Sequence, residues 1–150
     1  MGVKHLETIQ QFIADVPSDI AMFLELRHVE WYKTGYHSEL YSFMQQQRRG
    51  IVITDAAGRR DCVHMHLSTP QCFIRFVGNG LHPTDYLRID AWVARIRQWM
   101  NQGLEECYFF IHQHDELHSP QLIRYLIEQL NLHCGTSIKA PIIHDMDTLF

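Results

Sequence analysis

Apolar residues recur along this chain in two alternating rhythms. Leu6, Ile9, Phe12 and Ile13 fall three or four apart, which gathers them on one helix face, and Pro17 with Ser18 ends that helix. The run Ala21 to Leu26 is too short for a helix and is bounded by turn residues, so it reads as a strand. Helical spacing returns over Ser38 to Gln47 through Leu40, Phe43, Met44 and Gln47. Gly50 breaks it, and Ile51 to Asp55 follows as a β-branched strand. An irregular stretch over 56–70, punctuated by Gly58 and Pro70, leads to a third strand, Cys72 to Val77. Asp85 or Asp90 is suited to cap the long helix carrying Trp92, Ile96, Trp99 and Met100, which Gly103 stops. Cys107 to His112 is the fourth strand. Ser119 then reads as an N-cap, with Pro120 opening a last helix that buries Leu122, Leu126 and Leu130.

Alternation of this kind implies parallel strands joined by crossovers, an α/β class that fits either an open doubly wound sheet or part of a (β/α) barrel. Side chains on a strand alternate faces with period two. That rule puts Phe23, Glu25 and Arg27 on one face of the first strand, and Ile51, Ile53 and Asp55 on one face of the second. Phe73, Arg75 and Val77 share a face of the third strand, and Tyr108, Phe110 and His112 share one of the fourth. Each strand is then apolar early and ionisable at its carboxyl end, where parallel α/β folds bind ligands. With neighbouring strands ~4.8 Å apart, Glu25, Asp55, Arg75 and His112 are expected to converge.

Composition narrows the partners. The net charge of −4 argues against a nucleic-acid surface, and Arg48, Arg49, Arg59 and Arg60 read as solvated loop residues. No run approaches the ~20 apolar residues of a membrane span, and Met1 to Gln11 carries charge too early for a signal peptide. Cys62, Cys72, Cys107 and Cys134 form no C-x-x-C pair, as expected of reduced thiols in a cytoplasmic protein. His64 and His66, and His112 and His114, each make an H-x-H pair among eleven histidines. Neither pair comes with a full ligand set, so no metal or other cofactor is assigned.

The segments L-E-L-R-H-V-E-W, I-T-D, R-F-V-G-N and F-F-I-H-Q resemble those of the YecE-like family, domain of unknown function 72. The family motifs fall on Glu25, Arg27, His28 and Trp31, then Asp55, then Arg75 with Gly78, then His112 and Gln113. The last two stand where members often have an Asn pair. Gly135, Lys139 and Pro141 match the family's ending. The resemblance implies the C-terminal half of a TIM-type barrel, four strand–helix units over 1–135, with 136–150 a tail packed on the body. It implies no established reaction.

Two expectations of function follow. In one, a polar pocket at the strand ends takes a small anionic or hydroxylated substrate. Glu25 and Asp55 serve there as acid and base, and His112 assists proton transfer. Arg75 holds the anion, and Arg27, His28, Trp31, Asn79 and Gln113 complete the contacts. In the other, four strands leave two sheet edges open, and the chain pairs with itself or with a missing N-terminal half-barrel, inactive alone. A metal-dependent hydrolase is a further alternative.

Overall fold

The computed structural model describes residues 2–33 and 35–143. Helix α1 spans Leu6–Asp15, strand β1 Phe23–Leu24, the single turn α2 Glu30–Lys33 and helix α3 Tyr36–Gln46. Strand β2 (Gly50–Ala56) and strand β3 (Gln71–Val77) come next, then α4 (Pro83–Met100), β4 (Glu106–His112) and α5 (Ser119–Cys134). The four strands make one sheet in the order β1-β2-β3-β4. By packing, the chain falls into two units, residues 1–76 with 104–110 and residues 77–103 with 111–150.

In the first unit, Ile9, Ile13, Leu26, Trp31, Leu40, Tyr41, Met44 and Ile51 form one buried apolar cluster. The helical stripe of α1 supplies Ile9 and Ile13, as its spacing requires. Arg49 is buried instead of solvated. Its guanidinium donates to the carbonyls of Val16 (2.6 Å), Pro17 (2.9 Å) and Ile20, and so fixes the turn between α1 and β1. A buried guanidinium needs this many acceptors, and three backbone carbonyls provide them. Arg48, Arg59 and Arg60 are exposed.

β1 and β2 pair in parallel, Phe23 opposite Gly50 and Leu24 opposite Ile51. The Phe23 ring lies against Gly50, where a Cβ would collide with it. The link from β2 to β3 contains no α-helix. After a 3-10 turn at Arg60–Cys62 it runs back alongside β2. Cys62 Sγ reaches the Thr54 carbonyl (3.6 Å), His64 Nε2 the Val52 carbonyl (3.3 Å) and Ser68 Oγ the Arg49 carbonyl (2.6 Å). This strap explains why 56–70 shows no helical period: its hold on β2 comes from polar atoms, not from an apolar stripe.

In the second unit α4 packs against α5 around Ile89, Trp92, Val93 and Ile96 of the first helix and Leu122, Leu126 and Leu130 of the second. His82, not Asp85 or Asp90, caps α4, its ring nitrogen accepting from the Thr84 N–H with Pro83 in the first turn. His118 precedes α5, so Ser119 is its first helical residue. Asn131 on α5 holds the following segment through Thr136 and Ile138, and Arg124 donates to the Pro141 carbonyl (3.1 Å). The rest of the expected tail, 144–150, lies outside the described residues. No helix among the described residues is long and apolar enough to cross a membrane.

Candidate functional site at the strand ends

Register decides which side chains meet. With Phe23 opposite Gly50, the face that carries Phe23 and Glu25 on β1 continues on β2 as Gly50, Val52 and Thr54. Thr54 therefore stands beside Glu25, donating from Oγ1 to Glu25 Oε1 at 2.7 Å. Arg75 on β3 reaches the same oxygen with Nε (2.7 Å) and with its terminal nitrogen NH2 (2.7 Å). Both partners of this ion pair are about a quarter exposed. Below this polar layer the same face is aromatic. Phe73 stacks on Phe110 at 4.7 Å between centroids, and Phe23 meets Phe73 at 5.4 Å and Tyr108 at 5.8 Å.

Burial works to raise the Glu25 pKa, but the hydrogen bonds from Thr54 and Arg75 and the charges of Arg75 and Arg27 outweigh it. The carboxyl is held below its ordinary value of 4.5. Glu25 is consequently ionised at neutral pH, an acceptor or base and not an acid. All three contacts fall on Oε1, which leaves Oε2 to accept from a ligand. Glu25 and exposed Arg27 also line an open groove of about 530 Å³ between β1 and α1, with Thr8 and the apolar Ile9, Phe12, Leu24 and Leu26.

The expected Glu25–Asp55 carboxylate pair does not assemble. One residue of register turns Asp55 to the opposite face of β2, where it is buried and its carboxylate is bonded by Arg60 at the start of the strap. Trp31 is fully buried in the core of the first unit, so it offers no ring for stacking on a substrate. His28 is half exposed and accepts from the Glu30 N–H (3.3 Å).

The remaining candidates belong to the second unit. His112 is half exposed, its Nδ1 3.5 Å from Glu116 Oε1. Gln113 is buried, its Oε1 accepting from the Gly80 N–H (2.9 Å), with its amide packed where a Cβ on Gly78 would sit. Close approach is thus the reason for glycine at 78. The Asn79 N–H donates to Asp85 Oδ2 (2.7 Å), and Asp85 is fully buried and paired with Arg88 at 2.7 Å. Arg88 also donates to the Val77 carbonyl (3.1 Å). The Gly78-Asn79-Gly80 turn is therefore organised by protein groups. Among the described residues no group of three or more His, Cys, Asp or Glu side chains is placed to hold a metal ion. Thr54 and Asp85 are the polar residues that sequence reasoning missed. Counting β2 from Gly50 would have found the first, whereas Asp85 gives the same signal as a helix cap.

The model of the family described as "Protein of unknown function DUF72" matches residues 1–144. UPF0759 protein YecE of Escherichia coli (strain K12) is 21% identical over 168 aligned positions, covering 99% of this chain and 61% of that protein. The protein of the same name from a second Escherichia coli strain gives the same values. Two crystal structures of a DUF72 family protein from Enterococcus faecalis share its fold at 15% identity. Their TM-scores are 0.70 and 0.67, covering 97% and 91% of this chain and 58% and 57% of that protein. The chain thus spans about three-fifths of the curated relatives it matches, and its four-stranded sheet is part of a barrel. A match that runs from the first helix to beyond α5 places this chain in the DUF72 family.

Proposed function

We propose that Glu25, Thr54 and Arg75 form a binding site for a small hydroxylated or anionic substrate. The observation that carries this reading is the loading of Glu25. Three donor contacts fix one carboxylate oxygen and hold the group ionised, while the other oxygen is left to take a substrate hydroxyl. A carboxylate anchored in this way is preorganised as a hydrogen-bond acceptor or general base. Arg75 keeps a further guanidinium nitrogen for an anionic group, and Arg27 adds positive charge at the exposed end. A screen of sugar phosphates and small carboxylates by calorimetry tests the reading. Binding by the native chain that is lost in both Glu25→Gln and Arg75→Ala is expected, and a ligand held equally by all three removes the site.

A second reading concerns how the site is completed. Tyr108 and Phe110 on β4 are 41% and 48% exposed although they face the aromatic layer. β4 ends the sheet, and the relatives are longer than the match. The proposed occupant of this face is the part of the family barrel that the match leaves uncovered, supplied as polypeptide. Light scattering checks it. A monomer that binds the remaining segment of a family member supports it; a tight homodimer, or a monomer indifferent to that segment, opposes it.

A further inference from the structure

Three contacts set the register of β3 against β4. The Gly78 N–H donates to the His112 carbonyl (2.8 Å), which in a parallel pair matches Val77 with His112, as the Gly50 N–H bond to the Met22 carbonyl matches Phe23 with Gly50. Gln71 Nε2 donates to Glu106 Oε2 (2.9 Å), and the Phe73 and Tyr108 rings lie 6.1 Å apart, which matches Gln71 with Glu106 and Phe73 with Tyr108. Cys72 stands opposite Cys107, on the side of the sheet away from the aromatic layer. Neighbouring strands lie ~4.8 Å apart, inside the Cα separation of about 4.4–6.8 Å that a disulfide spans.

We infer that Cys72 and Cys107 form an oxidisable dithiol, which a hydroperoxide such as hydrogen peroxide converts to a disulfide joining β3 to β4. The two thiols are unequal in the way such a step requires. Cys107 is exposed on the end strand, whereas Cys72 is fully buried. The interaction between the two sulfurs lowers the Cys107 pKa, favouring its thiolate, and pushes the Cys72 thiol up. The accessible sulfur is thus the nucleophile, and the buried one resolves. Cys62 differs: it is buried, its Sγ contacts the carbonyls of Thr54 and Arg59, and burial raises its pKa. Cys134 in the second unit points at the Val93 carbonyl (3.7 Å).

The chemistry balances. The Cys107 thiolate attacks one peroxide oxygen; an S–O bond forms and the O–O bond breaks. The departing hydroxide takes a proton and leaves as water, giving a sulfenic acid. Cys72 then loses its proton and attacks the Cys107 sulfur. An S–S bond forms, the S–O bond breaks, and the hydroxyl leaves with that proton as a second water. Two thiols supply the two electrons that reduce the peroxide.

The test is peroxide treatment of the reduced chain, digestion without reductant and mass spectrometry. The expected product is a Cys72–Cys107 linked peptide, abolished by dithiothreitol. In Cys72→Ser, dimedone should trap a sulfenic acid at Cys107. In Cys107→Ser, Cys72 should stay a free thiol. The native chain decides the matter even if a variant fails to fold. A dominant Cys107–Cys107 link between chains, a Cys107 sulfenic acid that persists beside unreacted Cys72, or first oxidation at Cys62 or Cys134 overturns the inference.

Discussion

Asp85 with Arg88 in the second unit and Glu25 with Arg75 in the first both make carboxylate–guanidinium pairs at 2.7 Å, and the two differ in what surrounds them. Asp85 and Arg88 sit three apart on α4. Asp85 is wholly buried, and a backbone N–H and a backbone carbonyl also bond to the pair. Glu25 and Arg75 are fifty residues apart and a quarter exposed, with one carboxylate oxygen loaded and the other open. The Asp85 carboxylate, with no exposed surface, supports the turn it holds. The half-open pair is held as firmly but keeps access. Equal geometry therefore implies unequal roles.

The sharpest way to break this comparison is at the buried pair. Asp85→Ala removes the buried carboxylate from the mostly buried Arg88 and should cost about 3–5 kcal/mol, read as a fall in the denaturant midpoint, with ligand binding by the first unit unaffected. A loss below about 1 kcal/mol would show that solvent reaches this pair.

Acid separates the units next. His64, in the strap of the first unit, has its pKa lowered by burial from 6.5 to about 4. The unfolded chain takes up a proton that the folded chain refuses. Stability should therefore fall as pH drops from 6.5 toward 4, by on the order of 3 kcal/mol, and level off below. Glu25 acts in a different window. Its lowered folded value gives stability that is present above 4.5 and lost as pH falls through that lowered value. Urea titrations of native chain and His64→Gln across pH 7 to 4 should show a shallower slope in the variant. Identical slopes would place the acid sensitivity elsewhere.

At the open pair, Arg75→Ala should cost only about 2 kcal/mol in stability yet remove ligand binding, since it frees a partly solvated carboxylate. Thr54→Val should be the mildest, about 1 kcal/mol, with weakened binding because Glu25 loses one of its anchors. A Thr54→Val chain that binds as the native one does would mean that Arg75 alone positions Glu25.

Much of this was legible from periodicity. The four strands, the stripes of α1 and α5 and the polar ends of β1 and β3 follow from spacing alone, because burial on one face leaves a rhythm. Register leaves none. Counting β2 from Ile51 instead of Gly50 turns Asp55 inward and hides Thr54, although both belong to one strand. The strap after β2 was equally illegible, since its hold on the sheet runs through single polar atoms. Trp31 read as a rim residue because it follows the motif of β1, but the turn of α2 carries it into the core. Of the four strand-end residues, Glu25 and Arg75 meet, Asp55 lies on the other face of β2, and His112 belongs to the second unit.

β4 has one more consequence, for handling the protein. Cys107 to Ile111 is an uncharged run of β-forming residues at the end of the sheet, with Tyr108 and Phe110 substantially exposed. Such a strand is a template for stacking with its own copies, and nothing charged within the run discourages it. Concentrated stocks will cloud first through this strand, and a lysine at position 110 is the smallest change that would keep them clear.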